Sequence, residues 1–238
     1  TGSSTYESAV TDVAGRFGFA NVYAESFGLE LAKAGYVRRV VAAWTPTPPE
    51  SPETFTLEPG LKLTVRVVDR DDAPLRDVDV QAQILGADGK PDFTFGRLRA
   101  TSAATGVALL VDLPPATVRV FAWIGDRIVE LRHDPRQGDA VLKADVAYGT
   151  VEIECAEQPK NRNCSVGVRA RGSVGPLQVY GWSNFDANGR GVVVLKHVPA
   201  GEYDAVVIDG SAKEGPSLWP VQEIVVRPRE TVRTKLGP

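Results

Sequence analysis

The chain has 238 residues, of which 43% are apolar, 27 are basic and 30 are acidic, which gives a formal net charge of −3. This composition indicates a globular protein of one large or two to three small domains, and the mixed charges exclude a basic face for nucleic acid. Seventeen prolines and 23 glycines without a short period predict many turns between short strands and exclude collagen and long helices. No apolar run approaches the roughly 18 residues that span a bilayer, so no transmembrane segment is predicted.

The first unit, residues 1–60, contains a polar turn and a short alternating strand at residues 11–19, followed by a corner at 34–36. The two strands that open the later units have no counterpart before Thr1. A sandwich that lacks these strands leaves backbone edges unpaired and core side chains exposed. The unit is therefore predicted to be incomplete. It would be completed by upstream residues of the same polypeptide, which the absence of Met also leads us to expect, or by strands from a partner.

The second unit, residues 61–148, opens with an alternating strand over residues 61–69. Residues 101–106 are predicted to form a polar turn, because their Gly can adopt a positive φ. The residues after this turn alternate with period two, which predicts a further strand. The run at 118–124 also alternates. We expect its Trp123 to face the core.

The third unit, residues 149–238, repeats this order with a strand at 150–154, a turn at 186–190 and a Pro- and Gly-marked corner at 198–203. The closing segments of the three units end at glycines that are 89 and 88 residues apart, the positions being Gly60, Gly149 and Gly237. A period of this length is too long for a solenoid and fits a small autonomous domain. The sequence predicts tandem β-sandwiches.

The turn and corner motifs resemble those of the carboxypeptidase regulatory-like family of transthyretin-like (prealbumin-like) sandwiches. The motif T-D-x-x-G-R-F-x-F occurs at Thr11 to Phe19, and A-G-Y occurs at Ala34 to Tyr36. The corner V-P-A-G-E-Y of the third unit resembles the family's L-P-P-G-x-Y. The resemblance implies an all-β chain of tandem Greek-key, immunoglobulin-like sandwiches. The second unit departs from the pattern, because Ala104 to Val107 replaces the usual acidic turn and Arg-Phe.

Two cysteines, Cys155 and Cys164, flank a polar loop. A local disulfide between them would stabilise the fold by roughly 2.5–3 kcal/mol through loop closure and would place the chain in an oxidising compartment. Two unpaired thiols, one of them buried, are the alternative.

Aromatic residues supply the candidate ligand surface. Trp182 and Trp219 lie near predicted loops, and Tyr180 is close to Trp182 in sequence. These three residues could line a carbohydrate-binding or protein-binding surface, although large aromatic side chains also cap small β cores.

Catalytic and metal-binding patterns are missing from the sequence. His133 and His197 are the only histidines and fall in different units, so a three-His zinc site within one unit is excluded. The acidic turns at 69–72 and 77–79, and Asp186 with Asn188, match no calcium loop and fit the ordinary role of Asp in turns. We expect a protein that is not an enzyme and has no cofactor or metal.

The resulting functional hypothesis is a structural spacer and protein-interaction array that is extracellular, periplasmic or on the cell surface. One alternative is a carbohydrate-binding or peptidase-accessory module that binds a surface glycan through the three aromatic residues. The other is a subunit of an extracellular assembly completed by strand donation.

Overall fold

The computed structural model describes residues 7–19, 27–45, 53–86, 88–92, 98–156, 164–182, 190–209 and 215–238. Strands and their connections make up this part of the chain, in which the one helical element is a short 3-10 turn at Pro135–Gln137. No helix within these ranges is long and apolar enough to cross a membrane. The prediction of an all-β fold is confirmed.

The second unit folds into two facing sheets. Its strands are β3 (Leu61–Val68), β4 (Asp79–Ile84), β5 (Leu98–Thr101), β6 (Val107–Leu113), β7 (Val118–Ile124), β8 (Arg127–His133) and β9 (Ala140–Lys143). The three-stranded sheet has the order β6-β3-β9, and the four-stranded sheet has the order β5-β4-β7-β8. The first strand is central in the smaller sheet, where the last strand lies parallel to it.

The third unit has the same arrangement. Its strands are β10 (Tyr148–Cys155), β11 (Cys164–Ala170), β12 (Val179–Trp182), β13 (Gly191–Pro199), β14 (Gly201–Asp209), β15 (Gln222–Val226) and β16 (Thr231–Leu236). The sheet orders β13-β10-β16 and β12-β11-β14-β15 repeat those of the second unit strand for strand, including the parallel pair of first and last strands. Both units are Greek-key, immunoglobulin-like sandwiches.

Period-two alternation explains why these segments form strands of a sandwich. On β7 the residues Val118, Val120, Ala122 and Ile124 are fully buried and face the opposite sheet. Each buried side chain of this kind contributes roughly 1.5–3 kcal/mol relative to an exposed one. A separate cluster that includes Val151 forms the core of the third unit.

The first unit consists of the antiparallel pair β1 (Phe27–Leu31) and β2 (Arg39–Trp44) with irregular segments around it. Leu29 and Val37 are its buried apolar residues among those that the structure describes. Aromatic side chains of this unit also contact one another, and the ring centroids of Phe17 and Phe55, for example, are 6.5 Å apart. That this first sandwich is incomplete stays a prediction.

Candidate functional site

The predicted ligand surface of the third unit is only partly assembled. Tyr180 lies on the edge strand β12 and is 36% exposed. Trp219 instead packs, partly buried, against the core of the unit. Trp182 ends β12, and its side chain lies outside the described part of the structure. A ligand surface formed by these three residues therefore stays a prediction.

The structure does not support the predicted disulfide, because Cys155 and Cys164 are both buried and no bond joins their sulfur atoms. Cys155 ends β10 in one sheet and Cys164 begins β11 in the other, and each side chain belongs to the core between the two sheets. Both thiols thus act as small apolar core groups. Burial, assisted by the neighbouring Cys164, raises the pKa of the Cys155 thiol to about 11. The oxidising compartment was inferred from the disulfide alone, so the cysteines no longer support it.

The acidic turns have structural roles. Asp69 accepts hydrogen bonds at Oδ1 from the backbone N–H groups of Asp71 and Ala73, at 2.8 and 2.9 Å. Asp72 is 2.7 Å from the ammonium group of Lys143, which lowers the pKa of the Asp72 carboxyl. Across the described ranges, no group of three or more His, Cys, Asp or Glu is placed to hold a metal ion. Asp186 and Asn188 lie outside those ranges.

The joints between consecutive units form a repeated site that the sequence reasoning missed. Near their ends, β6 and β13 each contain a residue with positive φ, which is followed by a buried apolar residue and a proline. These residues are Asp112 (φ 62°) and His197 (φ 54°). The strand pairing shifts register at the same place in both units, between Leu61 and Leu63 and between Gly149 and Val151. A bulge of this kind redirects a side chain out of the sheet.

At the first joint, the redirected side chain contacts the preceding unit. The Oδ1 atom of Asp112 accepts a hydrogen bond from the backbone N–H of Gly35, at 2.8 Å. The N–H of Gly60 donates to the carbonyl of Gly35, also at 2.8 Å. A Cβ atom at Gly60 would lie 2.6 Å from the Cα of Asp112, so only glycine permits this approach.

The second joint is built from the corresponding elements. The Nε2–H of His197 donates to the carbonyl of Arg76 at 2.9 Å, and Lys196 pairs with Asp77 at 2.8 Å. A Cβ atom at Gly125 would lie 2.4 Å from the carbonyl oxygen of His197. The pKa of His197 is lowered, mainly because burial disfavours the charged imidazolium. The neutral imidazole is therefore the favoured form at the joint.

The signal for these joints was present in the sequence as two matching tripeptides, Asp112-Leu113-Pro114 and His197-Val198-Pro199. Asp and His differ in chemistry, and their partners lie in a different unit. The sequence pattern alone therefore does not indicate that Asp112 or His197 contacts the neighbouring unit.

Comparisons with known proteins assign no family. No protein-family model and no curated protein matches the chain. Similar solved structures include a minor pilin of Streptococcus agalactiae, at 13% identity over 74% of this chain and 94% of that one, with a TM-score of 0.33. A streptococcal ancillary pilin is similar at 13% identity over 87% of this chain and 73% of that one, with a TM-score of 0.32. The major pilin subunit of Bacillus cereus is similar at 14% identity over 85% of this chain and 81% of that one, with a TM-score of 0.27. At these identities and TM-scores the likeness carries no argument about function.

Proposed function

We propose that the chain is a non-catalytic structural spacer that holds interaction surfaces at fixed positions in an extracellular or cell-surface assembly. The repeated joint is the observation that carries this proposal. Two joints with the same bulge, the same positive φ and a close glycine contact favour a fixed orientation between neighbouring units. Flexible display would need only a polar linker without such contacts.

The proposal is tested by measuring the distance between units two and three in solution. Spin labels at Lys90→Cys and Arg227→Cys, two exposed positions, report this distance by pulsed electron resonance, while the buried Cys155 and Cys164 stay unlabelled. We expect a single narrow distribution for the otherwise native chain.

The combined change Lys196→Ala and His197→Ala should broaden this distribution, because it removes the ion pair to Asp77 and the hydrogen bond to the Arg76 carbonyl at the second joint. Lys235→Ala is the matched control, since it removes an ion pair to Glu154 within unit three. A broad distribution in the native joint would contradict the spacer proposal. Surface location is tested separately by protease treatment of intact cells, from which a surface protein is lost.

A second candidate function is completion of the first unit by additional strands. It is supported by the half-buried aromatic contacts, such as Phe27 against Trp44 at 5.0 Å between ring centroids, in a unit with two paired strands. In the complete units the first strand lies beside the last one in parallel. A peptide with the β3 sequence, residues 61–68, should therefore protect the amides of residues 53–58 from hydrogen exchange. Unchanged exchange at saturating peptide would exclude this candidate.

Membership of the carboxypeptidase regulatory-like family remains a proposal. It is supported by the turn motif at residues 11–19 and by the corner motif at residues 198–203, which joins the end of β13 to the start of β14.

A further inference from the structure

The outer face of the four-stranded sheet in unit two carries aromatic side chains that do not contribute to the core. Trp123, which we expected in the core, is 58% exposed, and its strand neighbour Ile128 is 43% exposed. Outward positions alternate with the buried ones on all four strands. They are Asp79, Gln81 and Gln83 on β4, Arg99 and Thr101 on β5, Arg119, Phe121 and Trp123 on β7, and Ile128, Glu130 and Arg132 on β8.

Polar groups surround the aromatic residues of this face. Phe121 is flanked in register by Gln81 on β4 and Glu130 on β8. The guanidinium of Arg119 lies 4.8 Å from the ring centroid of Phe121 and is ion-paired with Glu130. An aromatic ring is thus bordered by an ion-paired guanidinium and carboxylate on one side and, on the other, by the Gln81 amide, which donates a hydrogen bond to Asp79 at 2.9 Å.

A shallow cleft lies at the end of the face away from Trp123. It has a volume of about 310 Å³ and is lined by the connection after β4 and by outward residues of β7 and β8. The lining side chains that can form hydrogen bonds are Arg119, Glu130 and Arg132. Gln83, the register partner of Arg119, adds a side-chain amide at this end of the face and is 7% exposed. The face therefore combines an open aromatic part with a concave polar part.

Unit three provides an internal comparison, because its sheets have the same strand order. Counted from the corner prolines Pro114 and Pro199, Phe121 corresponds to Val206 and Trp123 to Ile208. In unit three both positions are aliphatic and at most 2% exposed, and Leu177 covers them in a small separate cluster. The sandwich can thus close this face with its own chain, and unit two leaves it open with larger aromatic side chains.

We propose that this open face of unit two, centred on Trp123 and Phe121, binds an oligosaccharide. A pyranose ring presents C–H groups that stack on the negative face of an aromatic ring, and hydroxyl groups that pair with carboxylate, amide and guanidinium groups. A protein-binding core favours a contiguous apolar patch depleted of charge, whereas charged and amide groups border Phe121 here, and the apolar neighbour of Trp123 in register is the single residue Ile128. The inference goes beyond the spacer proposal and does not depend on it.

The experiment uses the full chain on an array of neutral and uronate-containing oligosaccharides, followed by titration calorimetry with the best binder from each group. Trp123→Ala and Phe121→Ala are each expected to weaken binding by about 30-fold or more, as for aromatic residues at the centre of an interface. Leu109→Ala is the matched control, because Leu109 is 51% exposed on the other sheet of the same unit. It should bind as the native chain does.

Thermal unfolding separates lost binding from lost folding. Trp123 lies outside the core, so Trp123→Ala should keep the native midpoint within about 2 °C while losing affinity. The proposal is overturned if the native chain retains no oligosaccharide, or if Trp123→Ala binds as well as the native chain. It is also overturned if sedimentation shows concentration-dependent self-association that Trp123→Ala abolishes, since the face would then be a protein interface.

Discussion

Gly125 gives the most direct measure of how tightly units two and three are joined. It has a φ of 62°, and an added Cβ would lie 2.4 Å from the carbonyl oxygen of His197 in the next unit. Gly125→Ala therefore has two costs. An L-residue in the left-handed region costs roughly 1–2 kcal/mol. Opening the joint to relieve the contact weakens a hydrogen bond and a surface ion pair, which contribute roughly another 1–2 kcal/mol together.

Gly172→Ala separates these two costs. Gly172 also has a positive φ, 70°, but no atom lies within 4 Å of the Cβ position. In urea unfolding followed by tryptophan fluorescence, Gly125→Ala should lower the free energy of unfolding by about 2–4 kcal/mol and Gly172→Ala by about 1–2 kcal/mol. Equal losses in the two variants would show that the contact across the joint is not formed, and would refute the reasoning.

Three further predictions concern buried thiol and hydroxyl groups. Cys155 and Cys164 should react with a thiol reagent as two thiols per chain only after unfolding, and fewer than two in the unfolded chain would indicate a disulfide. Burial raises the pKa of Cys155 to about 11 and that of Tyr148 to about 12. Their contribution to stability should be full below pH 9 and lost as the pH rises towards 12, a fall that pH-dependent urea midpoints would detect. The buried hydroxyl of Ser102 donates to one backbone carbonyl and accepts one backbone N–H, so Ser102→Ala should cost about 1–3 kcal/mol in the same assay.

Strand positions in units two and three could be predicted from the sequence because alternation and turn residues are local signals. The strand expected within residues 11–19 is wrong, because these residues form a turn and irregular chain. The expected strand at residues 61–69 is β3 at Leu61–Val68, and the run at 118–124 is β7. Alternation fixes which residues share a face but not which face is buried when both carry apolar side chains. On β7 the small aliphatic residues fill the core, and Trp123 faces outward. The sequence signal could not exclude the opposite orientation.

The cysteines and the joints depended on long-range placement. The spacing of Cys155 and Cys164 suggested a local loop, yet the two residues end and begin strands of opposite sheets and fill the core as thiols. Asp112 and His197 occupy equivalent bulges, but their partners come from the preceding unit. Neither relation follows from local periodicity, because each depends on how separate strands and units pack.

The joints between units and the outer face of the four-stranded sheet differ in how they change from one unit to the next. The joint keeps its bulge and its positive φ in both places, although the redirected side chain changes from Asp112 to His197. The outer face of the four-stranded sheet changes from open and aromatic at Trp123 to closed and aliphatic at Ile208. Trp123 lies near the joint end of β7, two residues before Gly125. The joint contacts there involve the backbone of Gly125 and the loop residues Arg76 and Asp77, so we expect removal of the Trp123 side chain to leave them in place. A chain of this design can hold a ligand surface at a set position, and loss of the Trp123 surface should leave the distance between units two and three unchanged.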